Sequence, residues 1–222
     1  MSTVESATKK VSLSVGFTVG LYGIAFGAAG VAAGFSVLQT TLLSLATFTG
    51  ASQFAAVGVI GAGGNALSAI ATATLLGLRN TLYGVVISPV LRAKGVTKVV
   101  AAQLTIDEST GVALSRQPYG EREMRRGFWW TGIAVYIFWN IFTIVGALGA
   151  QAMGDPTRWG LDAAVPAAFL GLLWPRLTGK HERTIALCAA LLALALTPLL
   201  PAGLPIIATV SVALFFGLRR VQ

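Results

Sequence analysis

Apolar segments long enough to cross a bilayer recur from Val11 to Gly217, and that recurrence leaves few folds open. A crossing helix needs about 20 mostly apolar residues. The segments run about 11–35, 37–62, 65–91, 127–150, 160–175, 184–200 and 203–217. The last is short, with Pro198, Pro201 and Pro205 making a tight connection before it. Only 11% of residues are charged, against about 25% in soluble domains, and no stretch is polar enough to fold as a separate soluble domain. The expectation is an all-α, polytopic helical membrane protein: one transmembrane domain over 1–222, with about seven apolar segments, one of them broken or re-entrant.

Lys and Arg set the orientation. The 92–126 loop carries Arg92, Lys94, Lys98, Arg116, Arg122, Arg125 and Arg126; Arg176, Lys180 and Arg183 form a second cluster, and Arg219-Arg220 a third. All three share one side if the last four segments each cross once, which makes the C-terminus cytoplasmic. Three full crossings before Arg92 would put the N-terminus outside, against Lys9 and Lys10. A broken or re-entrant segment, or a buried crossing near 99–115, would restore an inside N-terminus. The run after Lys9-Lys10 continues to about Phe35, longer than a secretory leader core, so it reads as a retained span. Trp129 and Trp130 follow Arg125 and Arg126, and Trp159 and Trp174 bracket the fifth segment, as interfacial aromatics do.

The net charge of +8 suits a protein facing anionic lipid, and the basic residues flank apolar runs, so nucleic acid is not the expected partner. Cys188 stands alone in an apolar run and His181 in a basic loop, so neither a disulfide framework, a metal site nor a cofactor is expected. No GxxxxGK[ST] loop is present for ATP.

Four places carry chemistry. Glycines at 16, 20, 23, 27, 30 and 34 share an arc of roughly 80° on a helix, a face for close contact. Thr40, Ser44, Thr47, Ala51 and Gly58 form a small, weakly polar face suited to pair with it. Between them Phe48-Thr49-Gly50-Ala51-Ser52-Gln53-Phe54 places a Gln amide deep in lipid. Either the helix breaks at Gly50 and turns Ser52, Gln53 and freed amides toward a cavity, or Gln53 bonds to another helix from an unbroken one. In the third segment Asn65, Ser68, Thr72, Arg79 and Tyr83 lie within about 60° of each other. Arg79 is too deep to reach the surface and can hold a carboxylate with its guanidinium fork. That carboxylate belongs to a substrate, or to Asp107 or Glu108. The acidic pair sits in apolar surroundings, where burial would let a carboxylate exchange a proton near neutral pH; solvated acids balancing nearby Lys and Arg are the alternative. Glu121, Arg122, Glu123, Arg125 and Arg126 read as a solvated juxtamembrane helix with a Glu121–Arg125 pair. No convincing sequence repeat links the halves, which does not exclude a structural one.

Phe48-Thr49-Gly50-Ala51-Ser52-Gln53-Phe54, Leu78-Arg79-Asn80-Thr81-Leu82-Tyr83-Gly84, Thr105-Ile106-Asp107-Glu108 and Trp159-Gly160-Leu161-Asp162 together resemble, in order and spacing, the AzlC family of branched-chain amino acid permeases. The resemblance runs from about Gly16 to Gly217, and departs after Arg79, where His is more usual than Asn80. It implies a secondary transporter subunit, not an enzyme, exporting valine, leucine or isoleucine across the bacterial inner membrane. It also implies a small, separately encoded AzlD-type membrane subunit. The expected substrate site is Thr49, Gly50, Ser52, Gln53, Arg79, Asn80 and Tyr83, with Asp107 and Glu108 coupling transport to an ion or proton. An intramembrane enzyme would need a nucleophile with a base, and no His lies in any span. A purely structural subunit would have no need of Arg79.

Overall fold

Among the described residues, three helical rods are long and apolar enough to cross a membrane: Thr3–Ala32, Ala66–Leu91 and Glu121–Ala152. The computed structural model describes residues 3–154, 158, 160 and 163–220, and among them there is no strand. The chain is a polytopic helical membrane protein. Trp159, Leu161 and Asp162, from the fourth motif and the expected aromatic belt, lie outside the described residues.

The first rod is α1 (Thr3–Gly20) and α2 (Tyr22–Ala32), joined through Leu21. It packs along α8 (Glu121–Ala152) in the same direction. Thr8 donates to Glu123 Oε2 at 3.0 Å, and Thr131 donates to Ser12 Oγ at 2.9 Å. Further up, Gly16 faces Ala134, Gly20 faces Phe138 and Gly27 faces Thr143 and Ala147; Gly146 of α8 faces the Ile24 backbone in turn. Lipid gives helices no hydrophobic reason to associate, so this backbone-to-backbone approach supplies the packing. The glycine face therefore meets α8 and not the second segment, which contributes Thr40 against Gly30. Glu123 is also not solvated. It is 7% exposed, held by Thr8 and by Arg126, which also pairs with Glu5 at 3.1 Å. The start of α1 at Thr3, eight residues before the apolar run, covers it. The Glu121–Arg125 pair is present at 3.2 Å.

The second segment is two half-helices, α3 (Val37–Ala46) and α4 (Ala51–Gly61), on either side of a break at 47–50. At 1.5 Å per residue, ten or eleven residues cover about half of the roughly 30 Å hydrocarbon layer. Contacts give the path. From Thr40 beside Gly30, α3 descends to Ser44, which donates to Thr143 at 3.4 Å, and to Phe48, packed on Tyr136. From there α4 climbs from Phe54 on Trp139 to Gly61 at Ala33. The segment thus enters and leaves by one end. Gly50 makes the turn at φ 62°, a left-handed conformation that costs glycine little.

A break at mid-depth strands backbone groups that water cannot serve. Gln53, 1% exposed, closes this one: its Oε1 accepts from Gly50 N at 3.2 Å and its Nε2 donates to Leu43 O and Ser44 O. Gln103 donates to Leu45 O and Ala46 O, and Tyr136 OH to Leu45 O.

After α5 (Ala66–Leu91) the motif recurs from the opposite, basic end. Short helices α6 (Val96–Gln103) and α7 (Asp107–Ser115) flank a break at 104–106, and the chain runs back down α8 from Leu104 of the break at Gly132 to Val112 of α7 at Gly127. Ser109 does here what Gln53 does at the first tip, accepting from Ile106 N at 3.1 Å and donating to Leu104 O at 2.6 Å. A half-depth hairpin followed by a crossing helix thus appears twice in opposite orientation, as α3–α5 and α6–α8. Such inverted repeats are common in transporters and need leave no trace in sequence.

The first rod and α5 are the two crossings between Thr3 and Glu121, so both of these residues lie at the basic end. The re-entrant alternative thereby answers the parity question left by the Lys and Arg count. A peripheral layer, α9 (Ala164–Leu173), α10 (Lys180–Leu196), α11 (Leu204–Ala208) and α12 (Val210–Arg220), completes the fold. It meets the rest through Val165 at Gly58, Phe169 at Phe54, and Gly203 at Ser68 and Val59.

Candidate functional site

The two hairpin tips meet, and the space between them is the site. A cavity of about 290 Å³ is lined by Thr49, Gly50 and Ala51 of the first tip and by Ile106, Asp107 and Glu108 of the second. Arg79 enters from the middle of α5, and Arg176 from the turn that follows α9. The volume lies just below the roughly 300–1,000 Å³ typical of ligand pockets, so the cavity suits a small solute.

Asp107 is the electrostatic centre. Its Oδ2 takes Arg79 Nη1 at 3.3 Å and Arg176 Nη2 at 3.0 Å. Arg79 Nη2 also donates to Thr49 O at 3.4 Å, so one guanidinium ties the second tip to the unwound backbone of the first. Glu108, on the next position of α7, lines the same cavity within the field of Asp107, Arg79 and Arg176. Two arginines and two acidic side chains thus meet in one cavity. Helix geometry adds to this: α4 points its first turn at the cavity, where the amides of Ala51 and Ser52 have no acceptor within the helix.

The walls are apolar. Phe48, Phe54, Val135, Trp139 and Phe169 line them, and the rings hold each other. Trp139 stacks on Phe26 at 6.0 Å, and Phe54 meets Phe26, Trp139 and Phe169 edge-on. Three buried polar atoms on lining residues have no partner among the described residues: Thr49 Oγ1, Arg79 Nε and Trp139 Nε1. A buried donor without an acceptor costs about 1–3 kcal/mol, and such atoms are natural contacts for a bound solute.

The expected site residues therefore divide. Thr49, Gly50, Arg79, Asp107 and Glu108 converge on the cavity. Gln53 lies behind the first tip and holds it together. Ser52 is buried toward Gly77 of α5. Asn80 lines a separate groove with Lys98 and Thr105, between α5 and α6, and the half-buried Tyr83 lines neither space. Of the polar α5 face, Asn65 caps the helix at Ser68 N and Thr72 approaches Gly203 O, so only Arg79 reaches the centre. Arg176 and Trp139 were not anticipated. Arg176 sits among the basic residues of a loop, and Trp139 is one aromatic in an apolar run, so neither stands out in the sequence.

A protein-family model described as "AzlC protein" matches residues 14–153, which hold both hairpins, α5, nearly all of α8 and its partner rod from residue 14 onward. A membrane protein of Archaeoglobus fulgidus is 32% identical over 160 residues, covering 71% of this chain and 69% of that protein. The Escherichia coli protein named "Inner membrane protein YgaZ" is 26% identical over 175 residues, covering 74% and 68%. No solved structure matches.

Proposed function

The chain belongs to the AzlC family, and from that premise we propose that it is the large subunit of a secondary transporter exporting branched-chain amino acids. The observation behind the reading is a cavity with opposite charges on its floor and aromatic rings in its walls. A zwitterion with an apolar side chain fits that pattern. Its carboxylate would go to Arg79 and the first turn of α4, its ammonium to the acidic pair, and its side chain to Phe54, Trp139 and Phe169. The basic end faces the cytoplasm under the positive-inside rule, in a bacterial inner membrane. The chain works with a small AzlD-type subunit; the face of α5 bearing Leu67, Leu78, Leu82 and Val85 is uncovered in this chain alone.

Efflux of labelled valine, leucine and isoleucine from vesicles tests this directly. We expect saturable efflux with mutual competition, present with the co-encoded small membrane protein and lost without it. Competition by solutes lacking an ammonium or a carboxylate would point to a different small amphipathic substrate. Full activity of the purified chain alone would remove the subunit requirement.

Coupling to protons is assigned to Glu108. Asp107 is committed to two guanidinium groups, whereas Glu108 shares the cavity and takes part in no ion pair among the described residues. Glu108→Gln should flatten the dependence on pH, near neutrality, of whatever efflux remains. A Glu108→Gln profile that follows the unsubstituted protein at every pH would move coupling elsewhere.

A further inference from the structure

The cavity is closed unequally at its two ends. Toward the end away from the basic clusters, Phe54 packs against Phe26, Trp139 and Phe169, a seal of interlocked rings. Toward the basic end the Arg176 side chain reaches both the cavity and the surface. Arg176 pairs with Asp107 at 3.0 Å inside, yet its side chain is 62% exposed. It therefore marks the boundary between cavity and solvent.

We propose that Arg176 is the latch of an inner gate, holding the end of α9 against the tip of the second hairpin and opening the cavity to the basic side when it lets go. Three observations carry this. The peripheral layer meets the rest of the fold through the far end or middle of the molecule, at Val165–Gly58, Gly203–Ser68 and Phe169–Phe54. Arg176 ties the basic end of α9, so its release can swing that end about the packed one. Next, Asp107 keeps Arg79 when Arg176 leaves, so opening strands no unpaired carboxylate. Breaking Arg79–Asp107 instead would leave the less exposed of the two guanidinium groups without its carboxylate and loosen Thr49 as well. Finally, Arg176 follows Pro175 in a single 3-10 turn, Trp174–Arg176, which is followed by a non-helical stretch to Gly179. The latch thus sits on a short turn between α9 and α10, where backbone torsions can absorb a swing.

Accessibility of the cavity tests the latch without reference to the transported solute. With Cys188 replaced by Ser, Val19→Cys puts one thiol on the cavity wall. A membrane-impermeant cationic methanethiosulfonate is applied to inside-out and to right-side-out vesicles. Arg176→Ala and Arg176→Gln should each speed labelling from the basic side about five-fold, the weight of one part-exposed ion pair. Arg176→Lys should restore most of the protection, and labelling from the far side should not change. Unchanged basic-side labelling in both neutral variants would overturn the proposal. So would an equal rise from both sides, which would report a loosened fold rather than an opened gate.

Discussion

Arg79→Lys should cut transport by about 10- to 100-fold while the protein still inserts and remains folded. The lysine keeps the charge but offers an ammonium in place of a planar fork. Arg79 uses that fork twice, on Asp107 and on Thr49 O. One ammonium on a shorter reach cannot hold both. Hydrogen bonds to charged groups contribute about 1.5–3 kcal/mol each, and 1.4 kcal/mol is a factor of about ten, which sets the expected range. Rates of counterflow in vesicles, normalised to folded protein, give the measurement. Arg79→Lys with undiminished counterflow would remove Arg79 from the solute path and leave it as a brace between the tips.

Gly27→Val should prevent the fold from assembling. Gly27 lies against the Thr143 carbonyl and the Ala147 amide, with no room for even a β-carbon, and the obstacle is backbone that cannot turn aside. The helices would have to separate along a contact that also includes Gly16, Gly20, Gly23 and Gly146. Overpacking in a well-filled core commonly costs about 1–3 kcal/mol and sometimes more, and lipid replaces lost helix contacts without penalty to the separated state. The expected result is loss of the monodisperse peak in detergent size-exclusion chromatography. Gly149→Val on the same α8 is the control, since nothing lies within 4 Å of a β-carbon there. Equal tolerance of both substitutions would mean that α2 and α8 do not approach as described.

The residues that sequence could identify were those that are costly in lipid. Arg79, Asp107, Glu108 and the Gly50 break stood out because each is expensive unless something in the fold compensates it, and all four converge on one cavity. The partner of the glycine face was not legible, because small residues say that something comes close and not what. The second segment and α8 both offer small faces, and distance along the chain favoured the wrong one. The second hairpin was hidden for a related reason. Half-depth helices need only eight or nine residues, too few for a hydropathy pattern, and Lys94, Lys98 and Arg116 around them suggested a loop. Ser52, Asn80 and Tyr83 came with the motifs, and a motif fixes neighbours in sequence without saying which of them face the same space.

The parallel pairing of the first rod with α8 also sets a timetable for biogenesis. Thr8 and Glu123 are separated by 115 positions, and translation adds about 5–20 residues each second. The first rod leaves the translocon before α8 is made and then waits, on the order of ten seconds, for the surface against which its bare glycines pack. During that interval any other close-fitting helix in the membrane is a competitor. A ribosome stalled between Leu91 and Glu121 would leave an insertion intermediate whose stickiest face points into lipid, a ready substrate for membrane quality control.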